Sequence, residues 1–590
     1  MGDMTIEPAP TPGRPDAAGL LERFQPILRF TEGEYFLPMS IDDYLPHCRL
    51  WKHGDRRQRT LAAEIGELDR DRLVALTAGT TTEWSLQFVN DPMKRRDLVA
   101  WRLDPDRPRF RGGSRLGSVG VFGRLIDTAM RFSLLLRGRV ASGAEASAEV
   151  AVRPQRAAGE HVCYGRAFDQ DGYVVVQYWF FYPFNDWRSR AHGVNDHEAD
   201  WEQVTVFAAE HSDGAIDPQW VVFSAHDEVG DDLRRRWDDP DLTLVGDHPV
   251  VYAGLGSHSG AYLAGDYLLT VDRSALGHLY TLGRRVARLL LPWTRDNDTG
   301  AVGAPYIDYA RGDGEVVGLG GRTLRCEPID DVTGWVVGYQ GLWGRDTEDP
   351  FGGERGPAGP RYERSGIVRT SWRDPVGWAG LAKVPPTDDA AAEIRRRRAD
   401  RLDEEVRALA SERDGQLDAA RTAYLLGEPS TVLEANLAET TRLLDLRLDE
   451  RRQLDHRKPS ATSPGPHDHL RHRRLPMVDD DTIRRRLLMV WAAISTPLVL
   501  IAAALVVSPL GASISVIAAV SLFVIFAVEA TARRQLVPYV VSLVVVVIGV
   551  VVVGTVVLGL LAAWRVTVAG LFLGAALVVA ALNLSELRRQ

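Results

Sequence analysis

Cysteine is scarce in these 590 residues: Cys48, Cys163 and Cys326 stand far apart, and no C-x-x-C pair occurs. A disulfide framework and a cysteine-rich zinc module are thereby excluded, and the usage suits a reducing compartment. No G-x-x-x-x-G-K-[ST] run is present either. The Gly/Pro loop "FGGERGPAGPRY" (351–362) does not replace it, so a P-loop nucleotide site is unsupported. The opening "MGDMTIEPAPTPGRPDAAG" lacks an apolar core, so no secretory signal is expected there. Its Met-Gly start carries Ile6 where N-myristoylation wants Ser or Thr. Residues 1–19 are expected to be a disordered tail. Excess positive charge is missing as well. The 70 Lys and Arg fall short of the 79 Asp and Glu, and a formal charge of −9 argues against a nucleic-acid partner.

Charge is absent altogether from long stretches of the last hundred residues. "LLMVWAAISTPLVLIAAALVV" (487–507), "GASISVIAAVSLFVIFAV" (511–528), "VPYVVSLVVVVIGVVVVGTVVLGLLAAW" (537–564) and "VTVAGLFLGAALVVAALNL" (566–584) follow one another closely. Four adjacent uncharged runs of about bilayer length predict a four-helix transmembrane region over 484–590 rather than a buried helical core. Arg484–Arg486 precede the first run, Arg533 and Arg534 separate the second from the third, and Arg588 and Arg589 follow the fourth. The loop after the first run has no charge, and that after the third has only Arg565. The positive-inside rule then predicts a multi-pass cell-membrane protein with both termini cytoplasmic.

The remainder is too long for one core, so a multidomain chain is expected. Residues 458–483 form a Pro/Ser-rich basic linker. Its His467, His469 and His472 could bind a metal, but a flexible segment near anionic lipid is the preferred reading. Residues 386–457 carry Ile394, Leu402, Val406, Leu409 and Leu417 at roughly helical spacing among dense mixed charge, with a break at "GEPS". That predicts an antiparallel helical hairpin or coiled coil, acting as a spacer.

Residues 20–385 read as β-rich. "PILRF" (26–30), "GYVVVQYWFFYPFN" (172–185), "WEQVTVFAA" (201–209), "QWVVFSAH" (219–226) and "HPVVYAGLGSHSGAY" (248–262) are short runs of Val, Tyr, Phe and Trp between Gly, Asp and Pro clusters. Few amphipathic helices alternate with them, so an all-β antiparallel sandwich is favoured, with an insertion near 55–155. Within the insertion, "RLGSVGVFGRLIDTAMRFSLLLRGR" (115–139) has an apolar face ringed by arginines. It suits a membrane surface or the flank of the sandwich equally. Trp179, Trp201, Trp220 and Trp343 suit a core better than a sugar platform.

The chemistry concentrates in "HGVNDHEADWEQVTVF" (192–207). Residues two apart share a strand face, so Asp200 and Glu202 point together while Trp201 points away. His197, at the start of the strand, can join them. Two carboxylates and an imidazole suit a divalent cation, Mg²⁺, Ca²⁺ or Mn²⁺ by hardness and Zn²⁺ less well. A solvated acidic strand end is the competing reading. Glu198 is expected to face away from Asp200. His258, in the Gly-rich turn "GLGSHSG", can reach the same site or simply hydrogen-bond within its turn. His248 and Asn185 are expected to be structural.

The run "YWFFYPFN", then "HEADWEQVTV", then "HPVVYAGLGSHSGAY", resembles the vacuolar protein sorting-associated protein 62 family over roughly 20–380. Its H-x-x-D-W-E core is similar to the "GHRHDWE" heptapeptide of necrosis-inducing NEP-like proteins. The resemblance implies a lectin- or actinoporin-like sandwich and a divalent-cation site of His197, Asp200 and Glu202. An additional upstream acid is implied, for which Asp186 and Asp196 are candidates. Ala199 departs from the heptapeptide's second His, Asn195-Asp196 stands where the pattern has Gly, and the secreted toxins' lytic activity does not carry over to a tethered chain. Two functions compete. One is a cytosolic binding module that recognises a headgroup, sugar or protein at the membrane lipid. The other is a metal-dependent hydrolase of a phosphoester or lipid headgroup. A transporter is disfavoured, because the apolar runs hold almost no charge beyond Glu529.

Overall fold

The computed structural model describes residues 16–54, 59–78, 83–110, 143–186, 196–271, 304–345, 356–426, 431–456 and 482–565. Within these ranges 212, 225–232, 508, 510, 550, 556, 559–560 and 563 are excepted, and Gly120, Arg124, Leu125, Thr128, Leu475 and Pro476 are added. By internal contacts the chain divides into two compact units. One comprises 1–111, 138–267 and 308–476, and the other 112–137, 268–307 and 477–590.

The strands that position the site are β1 (Ile27–Arg29), β2 (Glu160–Gln170), β3 (Tyr173–Asn185), β4 (His197–Glu210), β5 (Ile216–Phe223), β6 (Arg234–Arg236), β7 (His248–Ala253), β8 (Val316–Val317) and β9 (Thr323–Pro328). A six-stranded sheet runs β9-β2-β3-β4-β5-β6. Its pairs are antiparallel except β9 with β2, which is parallel. A second sheet joins Leu244–Val245, β7, β1 and β8, with Gly260–Ala261 beside β7; β1 and β7 are parallel. Both sheets are therefore mixed, where the sequence pattern led to a purely antiparallel expectation. The parallel β9–β2 pair makes Cys163 and Cys326 register neighbours, though 163 residues separate them, and both are free thiols.

β3 is buried along its whole length because the sheet is covered on both faces. Val174, Val176, Tyr178, Phe180 and Tyr182 enter one core with Val204, Val206 and Ala208 of β4 and with Leu28, Val251 and Val317 of the second sheet. Trp179 and Phe181 enter the other core, with Trp201, Trp335 and Trp343. The alternating path of a strand sends successive side chains to these two cores. A strand rich in Val, Tyr, Phe and Trp supplies apolar groups for both.

Much of the 55–155 stretch belongs to this second core. Strands Arg49–His53, Arg59–Ala63 and Trp84–Gln87 form a small sheet, and Leu50, Leu86, Trp101 and Val152 pack with Trp179 and Phe181. All four expected core tryptophans are indeed buried. At the other end, helix Ala17–Arg23 begins inside the expected tail. Asp16 caps it by accepting from the Gly19 N–H at 2.7 Å, and Leu20 and Leu21 are buried.

Helices α1 (Asp388–Leu426) and α2 (Thr431–His456) form a hairpin. The pairs Arg451–Asp403 and Arg447–Glu405, at 2.9 and 2.7 Å, fix it as antiparallel. Beyond it, α3 (Thr482–Val507), α4 (Ala512–Ala532) and α5 (Leu536–Thr555) are three helices long and apolar enough to cross a membrane. The expected fourth run, most of the basic linker with its three histidines, and residues 1–15 lie outside the described residues.

Candidate functional site

The period of β4 does place Asp200 and Glu202 together. Even-numbered residues from 200 to 208 lie on the side of the core shared by both sheets, while Trp201 and Phe207 lie opposite. The alternation breaks just before Asp200. Tyr182 pairs with Asp200 and Phe184 with Glu198, and between them Ala199 takes φ +61°. A non-glycine residue in this left-handed region costs about 1–2 kcal/mol. The kink moves Phe184 into the core of Trp201 rather than that of Tyr182.

Glu198 moves with Phe184. In an unbroken strand it would share the Asp200 face; instead its carboxylate accepts from the backbone N–H groups of Phe88 and Arg345 on one oxygen and Val89 on the other, at 2.8–3.1 Å. Burial pushes Glu198 up to about 7 despite these three donors, which favour its charged form. The folded state thus holds the proton more tightly than the unfolded chain, whose carboxyl titrates near 4.5. Stability should fall as pH rises from about 4.5 to 7, where only the unfolded state ionises freely. Denaturant midpoints across that range should show the fall in the wild type and a flatter profile in Glu198→Gln. Equal slopes would refute the assignment.

The centre on the Asp200 side is built from five segments. Asp200 Oδ2 accepts from Asn185 Nδ2 at 3.1 Å and faces His258 Nδ1 at 3.0 Å. His258 Nε2 lies 3.7 Å from Glu34 Oε1. Glu34 is fixed by the N–H groups of Tyr35, Phe36 and Gly256 at 2.7–3.0 Å. Tyr182 stacks on the His258 ring at 3.9 Å and 5°. Glu202 accepts from the Ser224 hydroxyl, which in turn accepts from the Gln203 N–H.

The turn that carries His258 is specified locally. The His258 N–H donates to Gly254 O, and His258 itself takes φ +56°. A Cβ at Gly254 would meet Ser257 Oγ and Asp308 Oδ1 at about 2.1–2.2 Å, so any larger residue there would force those side chains to move. Asp186 N–H donates to Gly256 O, tying the end of β3 to the same turn.

The charges in this centre act on one another. Burial alone would depress the His258 imidazole, but the carboxylates of Asp200 and Glu34 outweigh it and push it up to about 10. Burial likewise opposes the Glu34 charge, and His258 overcomes it, leaving Glu34 below its usual value. The arrangement is an imidazolium held between two carboxylates. Glu34, Asp200, Glu202 and His258 are each 3 % exposed or less.

Of the residues singled out in the sequence, Asp200 and His258 meet, Asn185 joins them, and Glu202 lies on their face of β4. His197 Nδ1 sits 2.7 Å from the carbonyl of Ala199. Asp186 and Asp196 are buried, and His248 Nδ1 lies 2.9 Å from Gln25 O. Among the described residues no group of three or more His, Cys, Asp or Glu side chains is arranged to hold a metal ion. Sequence reasoning missed Glu34, Tyr182 and Ser224. An acid inside the apolar run "EYF" was the one local sign of Glu34.

Compared with protein-family models, with curated proteins and with solved structures, the chain finds no match.

Proposed function

We propose that this chain is a membrane-anchored binding module whose β-rich unit recognises a headgroup, sugar or protein from the cytosolic side. In this reading the two mixed sheets form a lectin- or actinoporin-like sandwich, which their shared core supports. The anchor is a four-span region with both termini cytoplasmic, supported by three apolar helices and the placing of the arginines. The resemblance to the vacuolar protein sorting-associated protein 62 family and to the H-x-x-D-W-E core of necrosis-inducing NEP-like proteins belongs to the same proposal.

The observation that favours binding over catalysis is the closure of the acid–imidazole centre. Its charges are buried and engaged with one another, so none is free to take a proton from a substrate. His258 is the resident positive charge, and its role is to hold the Gly254–Ser259 turn, the Glu34 segment and the β3–β4 end in one arrangement. That no group of three or more His, Cys, Asp or Glu among the described residues is arranged to hold a metal ion supports this reading over a metal-dependent one.

The test uses the full chain in detergent or nanodiscs. Metal analysis should give well below one ion per chain, and chelator or millimolar-scale Mg²⁺, Ca²⁺ or Mn²⁺ should leave the melting curve unmoved. One bound ion, lost in Asp200→Asn and Glu202→Gln but kept in Glu198→Gln, would establish the metal site instead. Arrays of lipid headgroups and glycans should show saturable binding. Sustained hydrolysis of phosphoesters or phospholipids, abolished by Asp200→Asn, would make the protein a hydrolase.

A further inference from the structure

Arg124 sits in the apolar stretch 115–139, for which the sequence left open a membrane surface or the flank of the sheets. By internal contacts 112–137 group with 268–307 and 477–590. The Arg124 guanidinium donates to both oxygens of Glu529, at 3.1 Å from Nη1 and 2.6 Å from Nη2. Nη2 also donates to Ser495 Oγ at 3.1 Å and Nε to Thr496 Oγ at 2.9 Å. Arg533 reaches the same carboxylate at 3.0 Å. The side chains of Arg124 and Glu529 are 2 % and 6 % exposed. The neighbouring Leu125 packs on Val499 and Ile525, beside Trp491, Leu522 and Phe526.

This is a built site on two membrane-capable helices. A bidentate fork on a carboxylate is the strong form of the pair, and two hydroxyls take up further donors of the arginine. Its depth follows from helix rise. Ser495 is nine residues past Arg486, about 14 Å along α3, and Glu529 is four residues before Arg533, about 6 Å along α4. The guanidinium bonded to both therefore lies deeper than Arg486 and about one helical turn in from Arg533, whose own head group reaches back to the same carboxylate. An arginine on a surface-lying helix extends its head towards water and phosphate. Arg124 does the reverse and turns towards Ser495, Thr496 and Glu529. The apolar run around it, "GRLIDTAMRFSLLL" (123–136), is too short to span and suits a re-entrant or interfacial segment.

We infer that the segment carrying Arg124 and Leu125 is an element of the membrane anchor, docked on the α3–α4 pair through the Arg124–Glu529 ion pair. The polar face of Ser495, Thr496 and Glu529 is an intramembrane docking site for an arginine-bearing segment, and the chain supplies that segment from its own N-terminal half. Intramembrane charge is costly without a partner, which gives Glu529 a role that an inert anchor would not need.

The inference rests on the anchor reading, and the experiment separates the two. The full chain is reconstituted in nanodiscs and treated with trypsin, and cleavage after Arg124, Arg131, Arg137 and Arg139 is timed by mass spectrometry. Wild type should be protected. Glu529→Ala should raise cleavage after Arg131 and Arg137 about tenfold or more, as expected when a buried ion pair loses one partner. The exchanged double variant Arg124→Glu with Glu529→Arg should return those rates towards wild type. If Glu529→Ala does not assemble, Arg124→Lys, which keeps the charge and loses the fork, should show an intermediate rate. Deuterium exchange of the 120–130 peptide should follow the same order. Cleavage in Glu529→Ala within twofold of wild type, or no recovery in the exchanged double variant, would overturn the docking. Release of the wild-type chain from membranes by alkaline carbonate would overturn the anchor and the docking together.

Discussion

Replacing His258 by Asn should destabilise the sheet-bearing unit by about 3–5 kcal/mol, the usual cost of removing one partner from a buried charge group. Asparagine is chosen because it tolerates the left-handed conformation that His258 adopts at φ +56°. Backbone strain is thus unchanged, and the loss reports the charge. Glu34 and Asp200 would then face each other's field without a cation between them. Adding Glu34→Gln should recover part of the loss, since it removes one of the two stranded carboxylates. The pH dependence gives a second signature. His258 titrates near 10 in the fold and near 6.5 when unfolded. Its contribution is therefore fully present below about 6.5 and lost as pH rises through 10. Guanidinium titrations of the full chain in detergent, read by tryptophan fluorescence, should show a wild-type decline over that window that His258→Asn lacks. A variant within about 0.5 kcal/mol of wild type, the range of ordinary surface changes, would remove His258 from the centre of the fold.

Trp201→Ala should cost a similar amount, about 3–5 kcal/mol, through a cavity rather than a charge. Trp201 sits between the two acids of the D-W-E motif in sequence but points to the other face of β4. Its ring lies 4.9 Å from Phe181, 5.4 Å from Trp343, 5.8 Å from Tyr164 and 6.0 Å from Trp335. The four aromatic side chains around it cannot collapse to fill an indole's volume. The same titrations should show the loss. If Trp201 instead formed a platform for a sugar, Trp201→Ala would weaken glycan binding while leaving the denaturation midpoint near that of wild type.

How far these features could be read in advance depended on whether their cause was local. β3 and β4 were legible because continuous Val, Phe, Tyr and Trp runs leave few alternatives to a doubly covered strand. The shared face of Asp200 and Glu202 followed from the period of two. Glu198 was expected to point away from Asp200, and it does, but the period would have kept the two together. The cause is the positive φ of Ala199, and alanine gives no signal of it in a sequence. Glu34 was out of reach because its partners are brought to it by the β1–β7 pairing and the turn after β7. The same holds for Cys163 and Cys326, whose adjacency requires a parallel pair that nothing local announces. The bilayer-length runs were the easiest of all, since their length and apolarity are themselves the physical criterion.

The Arg124–Glu529 pair also sets a schedule for synthesis. Its partners are 405 residues apart. At the usual pace of about 5–20 residues per second, Arg124 leaves the ribosome roughly 20–80 seconds before Glu529 exists. During that interval the apolar run 123–136 has no helix pair to dock on, and the sheets on either side of it in the chain are already being completed. If the Arg124 segment docks as inferred, the nascent protein carries an apolar sequence without its partner helices through most of its translation, and its maturation should depend on a chaperone or an insertase that shelters that sequence until α3 and α4 are in place.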